Sequence, residues 1–198
     1  MSVDMHELAA ELCANPPERL LAPQQDSYGN CWLLTALVGL QQHNPRLLLD
    51  MITLYPRFAS VQLPCRPPMH IGYLIPPNPV RIREAADLYY ALICKALCVV
   101  LHREGGACLY GACHGGKVSI ALSMLCPTHS PLLFCETLRD NAWHSLLLLR
   151  PLGSHLICYD PHHGRIMVAA QNCNIIAYSS CARSATPSFT QPSQANTA

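Results

Sequence analysis

Cys31 stands where a thiol can be turned into a nucleophile. The stretch Gln25-Asp26-Ser27-Tyr28-Gly29-Asn30-Cys31-Trp32-Leu33-Leu34 holds an amide side chain, a turn and then a cysteine entering an apolar run. A free thiol is mostly protonated at neutral pH. It becomes reactive when a helix N-terminus and a nearby imidazolium stabilise the thiolate. Leu33, Leu34, Ala36, Leu37, Val38 and Leu40 predict the helix, and Gly29 allows a tight turn before it. Gln25 is a candidate donor to an oxyanion, beside the Cys31 backbone N–H, and one such donor is worth a few kcal/mol in the transition state. This is the equipment of thiol acyl transfer. A buried structural cysteine at a helix start is the plain alternative, since the chain has twelve cysteines.

A thiol of this kind needs a base and a group that orients the base. Ten histidines compete for the first role. His144 follows Trp143 and opens the run Ser145 to Leu149, and Asp160 ends the next strand candidate in Cys158-Tyr159-Asp160-Pro161. A strand, a turn at Pro151–Ser154 and a return strand bring both side chains to one end of a hairpin, as a base and its orienting carboxylate require. His155 is the rival base. Asp160 is too near it along one strand, so its orienter would be Asn172 or Asn174.

Gln25, Gly29, Cys31, Trp32, Leu33 and Leu34 resemble the nucleophile segment of papain-like cysteine proteases, and the Cys-Trp-Leu-Leu continuation is most similar to calpains. Tyr28 stands where secreted papain relatives carry a second cysteine. The pattern His144, strand, turn, strand, Tyr159-Asp160-Pro161-x-x-Gly164 resembles the YopT/AvrPphB-type bacterial effector proteases. Gly-His-Ala and Asn-Pro-Trp, expected of a calpain near the histidine, are missing. The resemblance implies Cys31 as nucleophile, His144 as base, Asp160 as orienter and Gln25 at the oxyanion. It implies cleavage of a protein amide bond, by a virulence effector acting on a host protein if the second likeness holds. A glutamine deamidase or transglutaminase with the same three residues remains open, and so does a papain-like binding module without activity.

The elements that must position these residues follow from periodicity and turn signals. Val3–Cys13 predicts an amphipathic helix capped by Ser2 or Asp4. Cys31–His43 is apolar nearly all round, which predicts a buried helix. Pro45 suits the first turn of a further helix through Leu54. Pro64, Pro67, Pro68, Pro76, Pro77 and Pro79 mark a loop-rich crossover, with extended pieces at Val61–Leu63 and Ile71–Ile75. Arg83–His102 and Lys117–Leu125 predict helices around a glycine-rich loop from Gly105 to Gly116. His144–Arg150, His155–Tyr159, Arg165–Ala169 and Asn174–Tyr178 predict strands. Helices first and an antiparallel sheet after them make an α+β fold. A papain-like catalytic domain over residues 1–181 and a disordered tail over 182–198 are expected, the tail being rich in Ser, Thr, Gln, Pro and Ala.

With 51% hydrophobic residues, 198 residues can bury a sizeable single core. A net charge of +1 with no basic stripe argues against nucleic acid as a partner. The near-apolar run Leu88–Leu101, broken by Lys95, is too short to span a bilayer. The acidic start, with Asp4, Glu7 and Glu11, is not a secretory signal. Reduced thiols and a cytoplasmic monomer are expected, or, for an effector, export without such a signal into a host cytosol. No cofactor or metal is expected: Cys108, Cys113, His114, His162 and His163 match no paired zinc spacing, and the two last read as turn residues.

Overall fold

The computed structural model describes residues 4–26, 29–73, 79–103, 117–125, 132–139, 142–170 and 174–178. The glycine-rich loop and the tail over 182–198 lie outside them, as do Ser2, Asn172, Cys108, Cys113 and His114.

The N-terminal part is built on helices. Helix α1 (Met5–Ala14) starts at Asp4, whose carboxylate accepts the His6 N–H at 2.8 Å. Strand β1 (Gln24–Gln25) leads to helix α2 (Cys31–His43), with the bounds its apolar pattern predicts. Every residue of α2 from Cys31 to Leu40 is buried, so it runs through the core. The expected helix through Leu54 is shorter. Helix α3 (Leu47–Asp50) stops, and the chain turns into strand β2 (Ile52–Leu54). The β-branched Ile52 and Thr53 favour a pleated surface, and they pair with Val61 and Ser60 of strand β3 (Phe58–Val61). Strand β4 (Met69–Gly72) completes a three-stranded antiparallel sheet, and strand β5 (Val80–Arg81) pairs with β1. Helix α4 (Asp87–Arg103) packs on β3, β4, β5 and α1. It begins later than Arg83 because the buried Asp87 carboxylate takes the N–H groups of Arg83 and Glu84 and ion-pairs with the Arg83 guanidinium at 3.1 Å.

After helix α5 (Val118–Leu125) the described elements are all strands: β6 (Leu132–Arg139), β7 (Ala142–Leu152), β8 (His155–Asp160), β9 (Arg165–Ala170) and β10 (Asn174–Tyr178). They form a five-stranded antiparallel sheet in the order β10-β6-β7-β8-β9. Strand β6 is an addition to the sequence reading; the other four match it closely. Gly153, with φ of +57°, turns β7 into β8 through a two-residue loop closed by the Leu152–His155 pair. The register of this hairpin shifts between Leu148 and Arg150, a bulge in β7.

One side of the sheet, with Phe134, Leu147 and Tyr159, joins the main core beneath α2. The other side buries a smaller cluster of Cys135, Leu146, Leu156 and Cys158. Thr35 of α2 donates to the Ser145 carbonyl of β7 at 3.0 Å, a buried bond that ties the helix to the sheet. The architecture is thus mixed α and β with antiparallel sheets. No described helix is long and apolar enough to cross a membrane. Cys98 is disulfide-bonded, a departure from the expectation of reduced thiols throughout.

Candidate functional site

Cys31 is the first residue of α2 and only 7% exposed. The residue before it, Asn30, does not cap the helix with its side chain. Its amide instead donates to the Pro79 carbonyl at 2.9 Å, fixing the approach to the helix against the segment that leads into β5. The Leu33 and Leu34 N–H groups donate to the Asn30 carbonyl at 2.9 and 3.1 Å, and the Trp32 N–H bonds the thiol at the helix end where the dipole favours negative charge. Burial pushes the Cys31 thiol up. Hydrogen bonds from His144 and from the Ser145 and Trp32 N–H groups, with the His144 charge, outweigh it and bring the thiol below its ordinary value.

His144 lies near the start of β7 and Asp160 at the end of β8. The Leu147–Tyr159 pair sets Asp160 one step further, level with Leu146, so His144 is its diagonal neighbour across the hairpin. His144 Nε2 and Asp160 Oδ1 are 2.8 Å apart. With Nε2 engaged there, the remaining ring nitrogen, Nδ1, is the one that can meet the Cys31 thiol. Burial alone would lower the His144 pKa. The hydrogen bonds to Asp160 and to Cys31 reverse that and raise it to about 9. Asp160 is fully buried, which would raise its pKa, yet its bonds to His144 and His163 hold it well below the usual carboxylate range. The two shifts run in opposite senses on adjoining groups, thiol down and imidazole up, and both favour the charged forms of the pair.

The Asp160 turn is docked onto β1. Tyr159 Oη donates to the Pro23 carbonyl at 2.5 Å, the Gln25 N–H donates to the Pro161 carbonyl at 2.8 Å, and Gln24 Nε2 donates to the His162 carbonyl at 3.3 Å. Gly164 closes the turn with its N–H on the Asp160 carbonyl at 2.9 Å and a φ of +61°. A Cβ there would stand 2.7 Å from the Gln24 Cβ, so the position needs glycine for space as well as for conformation. Arg83, whose guanidinium also donates to the Ala22 carbonyl at 2.8 Å, supports the same segment from the turn before α4. Gln25 is thereby held beside the residue that follows Asp160. Its side-chain Oε1, like Asn30 Oδ1, is buried with no hydrogen-bond partner among the described residues.

The structure therefore brings Cys31, His144 and Asp160 into one hydrogen-bonded row, with the Gln25 backbone adjoining it. It does not bring His155 there. His155 is exposed at the other end of β8, with its Nδ1 3.2 Å from Ser154 Oγ, and Asn174 starts the far edge strand opposite Glu136. His162 and His163 are turn residues, as expected, but they also enter the site. The His162 N–H donates to Asp160 Oδ1 at 2.8 Å, and His163 Nδ1 lies 2.7 Å from Asp160 Oδ2. His163 was legible only as a position three residues after the aspartate in a turn. Thr35, Ser145 and Asn30 carried no signal, because their roles lie in backbone contacts between distant segments. Among the described residues, no group of three or more His, Cys, Asp and Glu is arranged to hold a metal ion. No protein-family model matches the chain, and no similar curated protein or solved structure was found.

Proposed function

We propose that this chain is a papain-like cysteine protease that cleaves a protein amide bond through a thioacyl-enzyme on Cys31. The observation that carries the reading is the His144 ring, bonded to buried Asp160 on one nitrogen and to the Cys31 thiol on the other side. The order along the chain supports it too: a helix-borne cysteine first, then histidine and aspartate on an antiparallel hairpin packed against that helix.

In this reading Cys31 Sγ, as thiolate, attacks the carbonyl carbon of the scissile amide. The oxyanion is met by the Cys31 N–H and the Gln25 side-chain amide. The C–N bond breaks as the His144 imidazolium gives its proton to the leaving nitrogen, leaving a thioester. Neutral His144 then takes a proton from water, whose oxygen attacks the thioester carbon. The C–S bond breaks, the carboxylic acid leaves, and thiolate and imidazolium are restored. Asp160 holds the ring throughout with Nε2 toward the carboxylate. The likeness of the hairpin to effector proteases extends the proposal to a host protein as substrate.

The test is covalent capture. A peptide carrying a thiol-reactive electrophile should label Cys31 far faster than the other cysteines, and Cys31→Ala should remove the label. Equal, slow labelling of all thiols would sink the enzyme reading. Mass spectrometry of a treated protein substrate should show new chain termini. Deamidated glutamines with intact chains would instead assign the chemistry to side-chain amides.

A further inference from the structure

We propose that His163 is a positioning residue of this site, locking the Asp160 carboxylate from its second oxygen so that the row becomes Cys31–His144–Asp160–His163. The inference rests on the thiol-hydrolase reading above and adds to it a residue that the Cys-His-Asp pattern does not contain.

Asp160 is bonded on both oxygens. Oδ1 receives His144 Nε2 at 2.8 Å and the His162 N–H at 2.8 Å, while Oδ2 faces His163 Nδ1 at 2.7 Å. The aspartate side chain is completely buried, His144 is 12% exposed and His163 is 33% exposed. A carboxylate rotates broadly about its last torsion. Contacts on one oxygen alone would let its plane swing and carry the His144 ring along. A donor on the opposite oxygen fixes that plane. The turn that presents His163 is itself constrained: it closes on the Asp160 carbonyl, sits on Gln24 and leaves no room for a side chain at Gly164.

The chemistry of the contact is specific. A neutral imidazole donating from Nδ1 adds a hydrogen bond without cancelling the carboxylate charge, so Asp160 still supports a cation on His144. An imidazolium at the same place would share that charge. Other titratable or charged groups surround the pair. The His162 ring packs edge-on to His163 at 5.1 Å and to His144 at 6.3 Å. Arg83 reaches the Gly164 corner, Tyr159 precedes the aspartate, and Cys31 lies beyond His144. A merely structural role, in which His163 fills the turn, would require its bulk and not its Nδ1–H.

The experiment uses the full chain. The rate of Cys31 alkylation by iodoacetamide is followed from about pH 4 to about pH 10 in the wild type, His163→Leu and His163→Asn, with the His144 ring titrated by nitrogen NMR. Leucine keeps bulk without a donor, and asparagine keeps a neutral donor near the Nδ1 position. The expected result is a His144 titration lowered by about one pH unit in His163→Leu, with the acid limb of Cys31 alkylation moved upward, and both largely restored in His163→Asn. A folded His163→Leu protein with the wild-type profile overturns the inference and leaves the protease reading intact. A wild-type profile without an acid-shifted limb overturns the protease reading itself. If His163→Leu does not fold, the wild-type tautomer decides: neutral His163 must carry its proton on Nδ1, and a proton on Nε2 alone overturns the proposal.

Discussion

Cys31 and Cys94 are both buried cysteines on helices, and their thiols are pushed in opposite directions. Cys94 lies within α4, fully buried, and burial drives its thiol far up; the neighbouring Lys95 charge only moderates this. Cys31 meets the same desolvation at the N-terminus of α2, yet ends below the ordinary value. The difference is contact. Lys95 stands next to Cys94 along the helix, but its own Nζ has no hydrogen-bond partner among the described residues, and burial lowers its pKa to about 8. Cys31 has an imidazole hydrogen-bonded to it, two backbone N–H donors and a helix end. A nearby charge only moderates the upward push of burial on a thiol; hydrogen bonds to the charged form outweigh it.

The comparison breaks most completely at the thiol. Cys31→Ala should lower amide hydrolysis by about 10⁴-fold or more, while Cys94→Ala leaves it near wild type; activity that survives the first change would end the proposal. Next in size is His144→Ala. It should slow Cys31 alkylation at about pH 6 by roughly 100-fold, making Cys31 an ordinary thiol, as the rate ratio of the two proteins would reveal. In the wild type, hydrolysis should fall as pH rises through about 9, where His144 loses the proton that the proposed mechanism hands to the leaving nitrogen. Because the folded pKa lies above the free value of 6.5, the stabilisation tied to this proton is full below pH 6.5 and lost by about pH 9.

Lys95→Met sharpens the other half. The lysine pKa falls from 10.5 to about 8 on folding, so between those values the unfolded chain binds more protons and stability rises with pH. Below pH 8 the full cost remains. The methionine variant should be more stable there by at most about 3 kcal/mol and should lose its advantage above pH 10.5, as denaturant titrations at two pH values would show. Gly164→Ala should cost about 2 kcal/mol, from a positive φ and a crowded Cβ, and should loosen the Asp160 turn without raising hydrogen exchange in α4. Smallest is Thr35→Val, which removes one buried bond between α2 and β7. A loss of about 1 kcal/mol, with Cys31 reactivity reduced only a few-fold and Cys94 still protected, is expected in a combined stability and alkylation assay.

How much of this was legible depended on how local each signal was. The α2 bounds could be read because ten successive positions are buried and no strand period competes. The hairpin could be read because Gly153 and the Pro161–Gly164 turn punctuate it on either side. The end of α3 could not. Leu47–Leu54 is apolar but for Asp50 and Thr53 and fits either period, and the pairing of Ile52 with Val61 decides it from outside the segment. In the site, Cys31, His144 and Asp160 were marked by their neighbours in sequence. The residues that aim them were not: Asn30 bonds to Pro79, Thr35 to Ser145 and Tyr159 to Pro23, all partners far away along the chain.

The bulge in β7 lies between His144 and Asp160 along the chain and sets which face of the hairpin they share. Counted from the turn, Leu152 faces His155 and Arg150 faces Ile157; an unbroken ladder would continue to set Asp160 opposite Leu147. Odd-numbered residues of β7 would then share a face with Asp160, and His144, an even one, would point away. The extra residue, Leu149, advances the count by one, so that Leu147 faces Tyr159 instead. The carboxylate changes sides and meets the imidazole. In this hairpin the phase of the pleat, set by one unpaired residue, decides whether the His144 imidazole meets the Asp160 carboxylate or turns its back on it.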